Sequence, residues 1–117
     1  MQYMLLIHSD ESVYPKMSEE EMNTLMAGYG KFTEELQSAG AMVVAHRLQP
    51  THSATTVRIR EGETMITDGP FAETKEQFGG YYIVEAGDLD EAMAWAAKIP
   101  TVKYGSVEVR PIWAMDD

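Results

Sequence analysis

The chain opens with a short apolar run whose two alternating faces are both hydrophobic. Residues 3–8 read YMLLIH, so one face is wholly apolar and the other is apolar up to its last position, His8. A strand with this pattern is expected to be covered on both sides. Apolar residues then recur at helical spacing, and Ser18 followed by Glu21 matches a capping box. The pattern predicts a strand followed by a helix over about Glu19–Ala39, which Gly40 ends.

The rest of the chain alternates between strand patterns and turn residues, with one further helix. Residues 56–60 and 64–67 alternate in polarity around the turn Glu61-Gly62-Glu63, which predicts a hairpin with one face in water. Asp88 begins a short helix that Pro100 stops. The other predicted strands are 42–48, 81–84 and 106–113, and the longest loop is the polar stretch 71–80.

The predicted order is strand, helix, strand, hairpin, strand, helix, strand, without an internal repeat or a linker. This order predicts an α+β fold, a ferredoxin-like split βαβ sandwich with an inserted hairpin, in a single domain spanning residues 1–117. Two helices can cover only one face of such a sheet, so the apolar second face needs another cover. We therefore expect a homodimer in which two sheets pack face to face.

Charge and composition narrow the possible partners. Nine basic and nineteen acidic residues among 117 give a formal net charge of −10. This excess of acid opposes the binding of phosphates, so we expect no direct nucleic acid partner. The absence of cysteine excludes disulfides and thiolate nucleophiles. Since no apolar run approaches the ~18 residues of a membrane span, and since no basic leader opens the sequence, we expect a cytoplasmic protein without membrane contact.

The densest cluster of chemically special residues is DGPFAETKEQFGGYY at positions 68–82, with Arg110-Pro111 near the end of the chain. On these residues the chain resembles the YCII-related superfamily, and in particular its DGPF branch, named after the motif at 68–71. The resemblance extends through Glu35-Leu36, Gly40 and residues 91–96. It implies a dimeric α+β barrel of ferredoxin-like subunits and an association with extracytoplasmic-function sigma factors.

The resemblance implies no settled activity. In some YCII-like relatives, a histidine on the first helix and an aspartate are the proposed catalytic pair. That histidine matches Tyr29 here, and the predicted helix contains no histidine. The pair therefore cannot be carried over to this chain.

Residues of the motif and the last strand are candidates for a ligand site. The candidate catalytic residues are Asp68, as a base or orienting group, and Tyr82, as a hydrogen-bond donor; the candidate substrate-binding residues are Lys75, Arg110 and Glu76. Each has a structural alternative. Asp68 can accept backbone hydrogen bonds in its turn, and Lys75 can form a solvated charge pair. Arg110 can pair with Asp68 or Glu76 and so anchor the loop to the last strand, which is the arrangement we expect.

The histidines give no clear metal signature. His8 and His46 lie on strands that the pattern makes candidate neighbours, so a shared metal, a proton-transfer pair and ordinary hydrogen-bonded core histidines all remain open. His52 lies in a loop. Without cysteine or a helical histidine pair, we expect neither a metal nor another cofactor.

Two functions are compatible with these residues. The first is a cofactor-independent enzyme acting on a small organic acid or phenolic compound, in a cleft near the Asp68–Gly80 loop. The second is a non-catalytic dimeric module that binds a small anionic or aromatic ligand or a regulatory partner, in the sigma-factor context that the resemblance implies. An enzyme needs a titratable group facing a closed cleft, whereas a binding module can have its carboxylates fully engaged in structural contacts.

Overall fold

A computed structural model describes residues 1–115, so the last two positions of the predicted domain, 116 and 117, lie outside the described residues. The strands and α-helices are β1 (Gln2–Ser9), α1 (Glu19–Ser38), β2 (Met42–Arg47), β3 (Thr55–Arg60), β4 (Glu63–Asp68), β5 (Gln77–Glu85), α2 (Leu89–Ala96) and β6 (Ser106–Pro111). Short 3-10 turns at Glu11–Lys16, Thr51–Ser53 and Pro100–Lys103 connect them. No helix among residues 1–115 is both long and apolar enough to cross a membrane.

The main sheet has four antiparallel strands in the order β2-β5-β1-β6. With α1 after β1 and α2 after β5, this is the ferredoxin-like order, and β3 and β4 form a separate hairpin inserted between β2 and β5. The predicted α+β class is therefore confirmed. Within one chain the sheet is open at β2 and β6, so no closed barrel is formed among the described residues.

Helix α1 begins where its sequence predicts. The Ser18 hydroxyl accepts a hydrogen bond from the Glu21 backbone N–H, and the Glu21 carboxylate accepts one from the Ser18 backbone N–H. This reciprocal pair satisfies helix-end donors that would otherwise lack partners. The helix buries Leu25, Phe32 and Leu36 toward the sheet. Its bounds agree with the predicted range to within one residue because both the cap and the apolar stripe are local features of the sequence.

The two faces of the sheet have different surroundings. On the face toward the helices, Tyr3, Leu5 and Ile7 are buried together with Tyr82 and Val84 of β5. The opposite face, here called the open face, carries side chains that are half-buried or exposed in the single chain. Its members include Met4, Leu6, His8, Val44, His46, Phe78, Tyr81 and Ile83. Both faces of β1 carry apolar side chains, but one of them has no cover among the described residues, so the expected burial of the strand on both sides stays a prediction.

Strand β5 is longer than its sequence pattern indicates, because it begins at Gln77 instead of Tyr81. Gly79 and Gly80, which read as loop residues, lie inside the strand. Gly79 occupies an irregularity in the pairing with β1, where Ile7 faces Gly80 and His8 faces Phe78. At Gly80, a Cβ would stand 3.0 Å from the carbonyl oxygen of His46 on β2. The close approach of β2, and not a turn, therefore favours glycine at this position.

The inserted hairpin forms as predicted and has a two-residue turn. Glu61 and Gly62 both have positive φ, 53° and 78°, as a type I′ turn requires. All of β4 is exposed, as is all of β3 except Thr56. The sequence predicts that one face of the hairpin meets water, whereas in the single chain both faces are open.

Candidate functional site

A cleft of about 310 Å³ lies between the helix-facing side of the sheet and the first half of α1. Its walls are mainly apolar, and this volume lies at the lower end of the range for small-molecule sites. The apolar lining residues are Ile7, Leu25, Met26, Ala45, Leu48 and Pro50. Polar groups also line the cleft, at the ends of β1 and β2 and at the start of β5.

Three residues that carry hydroxyl groups, Ser9, Tyr14 and Tyr29, also line the cleft. The Ser9 and Tyr14 hydroxyls lie 2.7 Å apart, so the tyrosine of the first 3-10 turn is tied to the end of β1. The Tyr29 hydroxyl lies 2.5 Å from the Thr101 hydroxyl, which is buried. Burial raises the pKa of Tyr29 from 10.0 to about 12, with the hydrogen bond to Thr101 acting in the opposite direction. Tyr29 therefore presents a neutral phenol at physiological pH.

The rim of the cleft is held by Glu11. Its carboxylate accepts hydrogen bonds from the Thr51 backbone N–H, at 3.3 and 3.1 Å, and from the Thr51 hydroxyl. Its own backbone N–H donates to the Gln77 side-chain oxygen at 2.9 Å, and the Gln77 amide donates to the Thr74 carbonyl. Three chain segments are thus joined at one edge of the cleft. The Glu11 carboxylate is engaged in structural contacts there.

Arg47 is the cationic residue of the cleft. Arg47 is the last residue of β2 and pairs with Gly80 of β5, which in turn pairs with Ile7 of β1. Because Ile7 is buried on the helix-facing side of the sheet, the Arg47 side chain lies on that side too. The residue is exposed, and within residues 1–115 no carboxylate lies within 4.0 Å of its guanidinium. A guanidinium without an acidic partner at the mouth of an apolar cleft can bind a carboxylate through two parallel hydrogen bonds.

The predicted catalytic residues do not come together in this cleft. Tyr82 lines it, but its hydroxyl lies 2.9 Å from the Thr33 hydroxyl, and its ring stands edge-on to Phe32 at 5.0 Å. Asp68 is exposed at the end of β4, opposite Thr55, and is absent from the cleft lining. The turn after β4 is closed by the Gly69 backbone N–H, which donates to the Ala54 carbonyl at 2.7 Å.

The predicted substrate-binding residues also lie apart from one another. Lys75 is exposed near Asp10, whose pKa is lowered first by hydrogen bonds from Ser12 and to a smaller extent by Lys75. Glu76 accepts a hydrogen bond from the Ser106 hydroxyl at 2.8 Å, so the predicted contact between the loop and the last strand does exist. Lys75, Glu76 and Arg110 are all absent from the cleft lining.

The expected pairing of Arg110 with a carboxylate of the loop is wrong. Arg110 donates through Nε to the Glu108 carboxylate at 2.7 Å and also binds it through a terminal nitrogen, and its side chain is 67% exposed. Glu108 lies two residues away on the same face of β6, so it is the nearer acid. The loop instead contacts the strand at Ser106, which lies four residues before Arg110 in the sequence, or about 13 Å along an extended strand.

The histidines do not form a pair. His8 on β1 and His46 on β2 point to the open face, but β5 lies between their strands. The rings of Phe78 and Tyr81 separate them, with centroids 5.5 Å from His8 and 5.7 Å from His46. The expectation that their strands are neighbours is therefore wrong, and the two residues cannot share a metal. No group of three or more His, Asp or Glu residues suited to a metal occurs within residues 1–115.

Fold and cleft together define a ferredoxin-like α+β protein with a ligand-sized cavity between its first helix and its sheet. The chain belongs to the YCII-related family, since the family model described as YCII-related domain matches residues 1–116. It is also 40% identical over 114 residues to an uncharacterised protein of Rhizobium meliloti (strain 1021), a match that covers 96% of this chain and 92% of that protein.

Sequence reasoning missed most residues of the cleft. Ser9, Glu11, Tyr14 and Arg47 belong to no motif, and the contact between Glu11 and Thr51 joins residues 40 positions apart. One signal was available. Arg47 follows an apolar strand and precedes the loop residues Gln49-Pro50, and a charged residue at a strand end beside a loop is a common position for ligand binding.

Proposed function

We propose that this chain is a ligand-binding protein that takes a small aromatic carboxylate in the cleft between α1 and the sheet. The observation that carries the proposal is Arg47, a cation without a carboxylate partner among residues 1–115, at the mouth of an apolar cleft of about 310 Å³. Apolar walls favour a ring, and the guanidinium favours a planar carboxylate.

The inner hydroxyls support the same ligand class. Tyr29 lines the cleft, and burial raises its pKa to about 12, so its phenol, which is hydrogen-bonded to Thr101, adds no charge there. The Tyr14 hydroxyl near Ser9 offers a second such group.

Binding explains the cleft better than catalysis does. A cofactor-independent reaction on the same ligand would need a proton acceptor facing it. Glu11 is the carboxylate in the cleft lining, and Thr51 already donates hydrogen bonds to both of its oxygens. Roles for Asp68, Lys75, Glu76, Tyr82 and Arg110 in catalysis or substrate binding stay predictions that activity measurements must decide.

A homodimer built on the open face is part of the proposal. Met4, Leu6, Val44 and Ile83 give this face an apolar centre, with Phe78 and Tyr81 toward one end. Burying these side chains against a second sheet would remove a contiguous apolar surface from water. The motif at 68–71 links the chain by resemblance to the DGPF branch, and on that basis we add a cytoplasmic regulatory role linked to sigma factors.

Isothermal titration calorimetry with benzoate and with benzamide, its neutral isostere, tests the ligand class. We expect the wild type to bind benzoate at least fivefold more tightly than benzamide, and Arg47→Gln to abolish that preference. Lys31→Gln is the matched control, because it removes one exposed positive charge of α1 that is absent from the cleft lining. Equal affinity for the two probes, or equal losses in the two variants, would contradict the role given to Arg47.

Catalysis is tested separately by incubating the protein with 4-hydroxybenzoate and following the compound by mass spectrometry. The binding proposal predicts an unchanged compound after many hours. Turnover that is lost in Glu11→Gln would reverse our preference and make the protein an enzyme.

A further inference from the structure

The cleft holds one charge of each sign. Its lining contains Arg47 at the mouth and Glu11 at the rim. No other Lys, Arg, Asp or Glu among residues 1–115 belongs to the lining. With histidine counted as neutral, the formal charge of the lining is therefore zero. A ligand with one carboxylate brings the cleft to a net negative charge, and a second carboxylate doubles that charge.

The Glu11 carboxylate is held in one position. The Thr51 backbone N–H donates to its two oxygens at 3.3 and 3.1 Å, and the Thr51 hydroxyl donates to it as well. The backbone N–H of Glu11 donates to the Gln77 side chain at 2.9 Å, so both the main chain and the side chain of this half-buried residue are fixed. The carboxylate cannot turn away from an approaching anion without losing its hydrogen bonds.

The cleft has one cation to offer an anion. Within residues 1–115, no carboxylate lies within 4.0 Å of the Arg47 guanidinium, and its planar fork suits a single carboxylate. A second carboxylate on the same ligand would leave water for a mainly apolar wall, with Glu11 as the other charged group of the lining. A neutral amide in that place would cost less, because it carries no charge to desolvate and none for Glu11 to repel.

The size of the cleft makes this repulsion large enough to measure. A spherical cavity of about 310 Å³ would be about 8 Å across. Repulsion between two unit charges about 8 Å apart changes an equilibrium constant about twofold in bulk water and about thirtyfold at an effective dielectric constant of about 20. The formal net charge of −10 on the whole chain acts in the same direction.

We infer that Glu11 is a specificity-determining residue that limits the ligand of the cleft to a single carboxylate. The inference rests on the proposed binding of an aromatic carboxylate at Arg47 and adds the charge that this ligand is allowed to carry. The two charged residues have complementary tasks. Arg47 attracts the first carboxylate, and Glu11 opposes a second one on the same ligand.

Isothermal titration calorimetry of the full chain with two ligands of matched shape tests this role. Terephthalate carries two carboxylates, whereas 4-carbamoylbenzoate carries one carboxylate and one neutral amide. We expect the wild type to bind 4-carbamoylbenzoate at least tenfold more tightly than terephthalate, and Glu11→Gln to lower this ratio at least fivefold. Glu20→Gln is the matched control and should leave the ratio within twofold, because it removes one exposed acidic charge of α1 that is absent from the cleft lining.

Glu11→Asp separates the charge of the rim from its structure. This variant keeps the charge but shortens the side chain that Thr51 binds, so we expect its ratio to stay within threefold of the wild type. A fall in Glu11→Asp as large as that in Glu11→Gln, or an equal fall in Glu20→Gln, would overturn the inference. Equal affinity of the wild type for both ligands would also overturn it, but would leave the proposed function standing. If the wild type binds neither ligand, both fail. Circular dichroism checks that each variant is folded.

Discussion

The wall of the cleft and the hairpin of β3 and β4, here called the arm, are both built from short antiparallel strands, yet different contacts hold them in place. At the cleft, the end of β1 is fixed by the Ser9–Tyr14 contact, and the rim is joined through Glu11 to Thr51. In the arm, the apolar side chains of Val57 and Ile66 project into solvent. Short antiparallel strands are therefore held by hydrogen bonds to other segments in one region and are exposed to solvent in the other.

The difference indicates that the body contributes most of the unfolding free energy and that the arm contributes little. No buried side-chain nitrogen or oxygen atom within residues 1–115 lacks a hydrogen-bond partner, so the polar groups buried in the body are satisfied within the single chain. The arm hides few apolar atoms and should add little to the unfolding free energy of a monomer.

The largest expected effect comes from deleting similar apolar volume in the two regions. Leu5 is fully buried, so Leu5→Ala should lower the free energy of unfolding by about 2–5 kcal/mol. Ile59→Ala in the arm should change it by about 0.5 kcal/mol or less. Urea unfolding at a protein concentration too low for association measures both. A cost above about 1.5 kcal/mol for Ile59→Ala would mean that the arm belongs to the core of the single chain.

A smaller effect is expected at Gly79 and Gly80, two consecutive glycines of β5. Gly80→Ala would force a Cβ to within 3.0 Å of the His46 carbonyl, and we expect a loss of about 1–3 kcal/mol. Gly79 is the control, because a Cβ there meets nothing within 4 Å and its φ is not positive. Gly79→Ala should change stability by less than about 1 kcal/mol. Equal losses in urea unfolding would show that close approach to β2 is not the reason for Gly80.

Tyr29 makes the stability of the region around the cleft depend on pH. Its folded pKa, about 12, lies above the ordinary value of 10.0, so its stabilising contribution is fully present below pH 10 and is lost as the pH rises to 12. Tyr29→Phe should cost about 1–2 kcal/mol at pH 7, because Thr101 loses a buried partner. It should also flatten the fall in stability between pH 10 and 12. An equally steep fall in the variant would contradict this account.

The smallest effect concerns the turn of the arm. Glu61 adopts a φ of 53°, a conformation that asparagine tolerates better. Glu61→Asn should therefore stabilise the arm against local opening by about 0.5 kcal/mol, measured by hydrogen exchange of its backbone amides. Glu63→Asn, outside the turn on β4, is the control and should give no such gain. Slower exchange in the control alone would argue against strain at Glu61.

The sequence predicted the local features best. The cap at Ser18 and the turn at Glu61-Gly62 depend on neighbouring residues, and both appear where expected. The start of β5 could not be predicted, because Gly79 and Gly80 read as loop residues until the path of β2 is known. The motif at 68–82 drew attention to Asp68, which is exposed at the end of the arm.

The cleft itself was beyond sequence reasoning for a physical reason. Its polar groups come from segments that only the fold brings together, as with Arg47 at the end of β2 and Tyr14 in a 3-10 turn. The alternation of β3 likewise indicates two faces but does not specify what covers them.

The most direct test of the central claim is a ¹⁵N–¹H correlation titration of the wild type with benzoate. The account predicts that the largest shifts fall on backbone amides around the cleft, at Ser9, Arg47, Gly79 and Gly80, and that amides of the arm between positions 57 and 66 stay unchanged. Shifts concentrated on the arm or at Lys75 and Arg110, with the cleft amides unaffected, would contradict it.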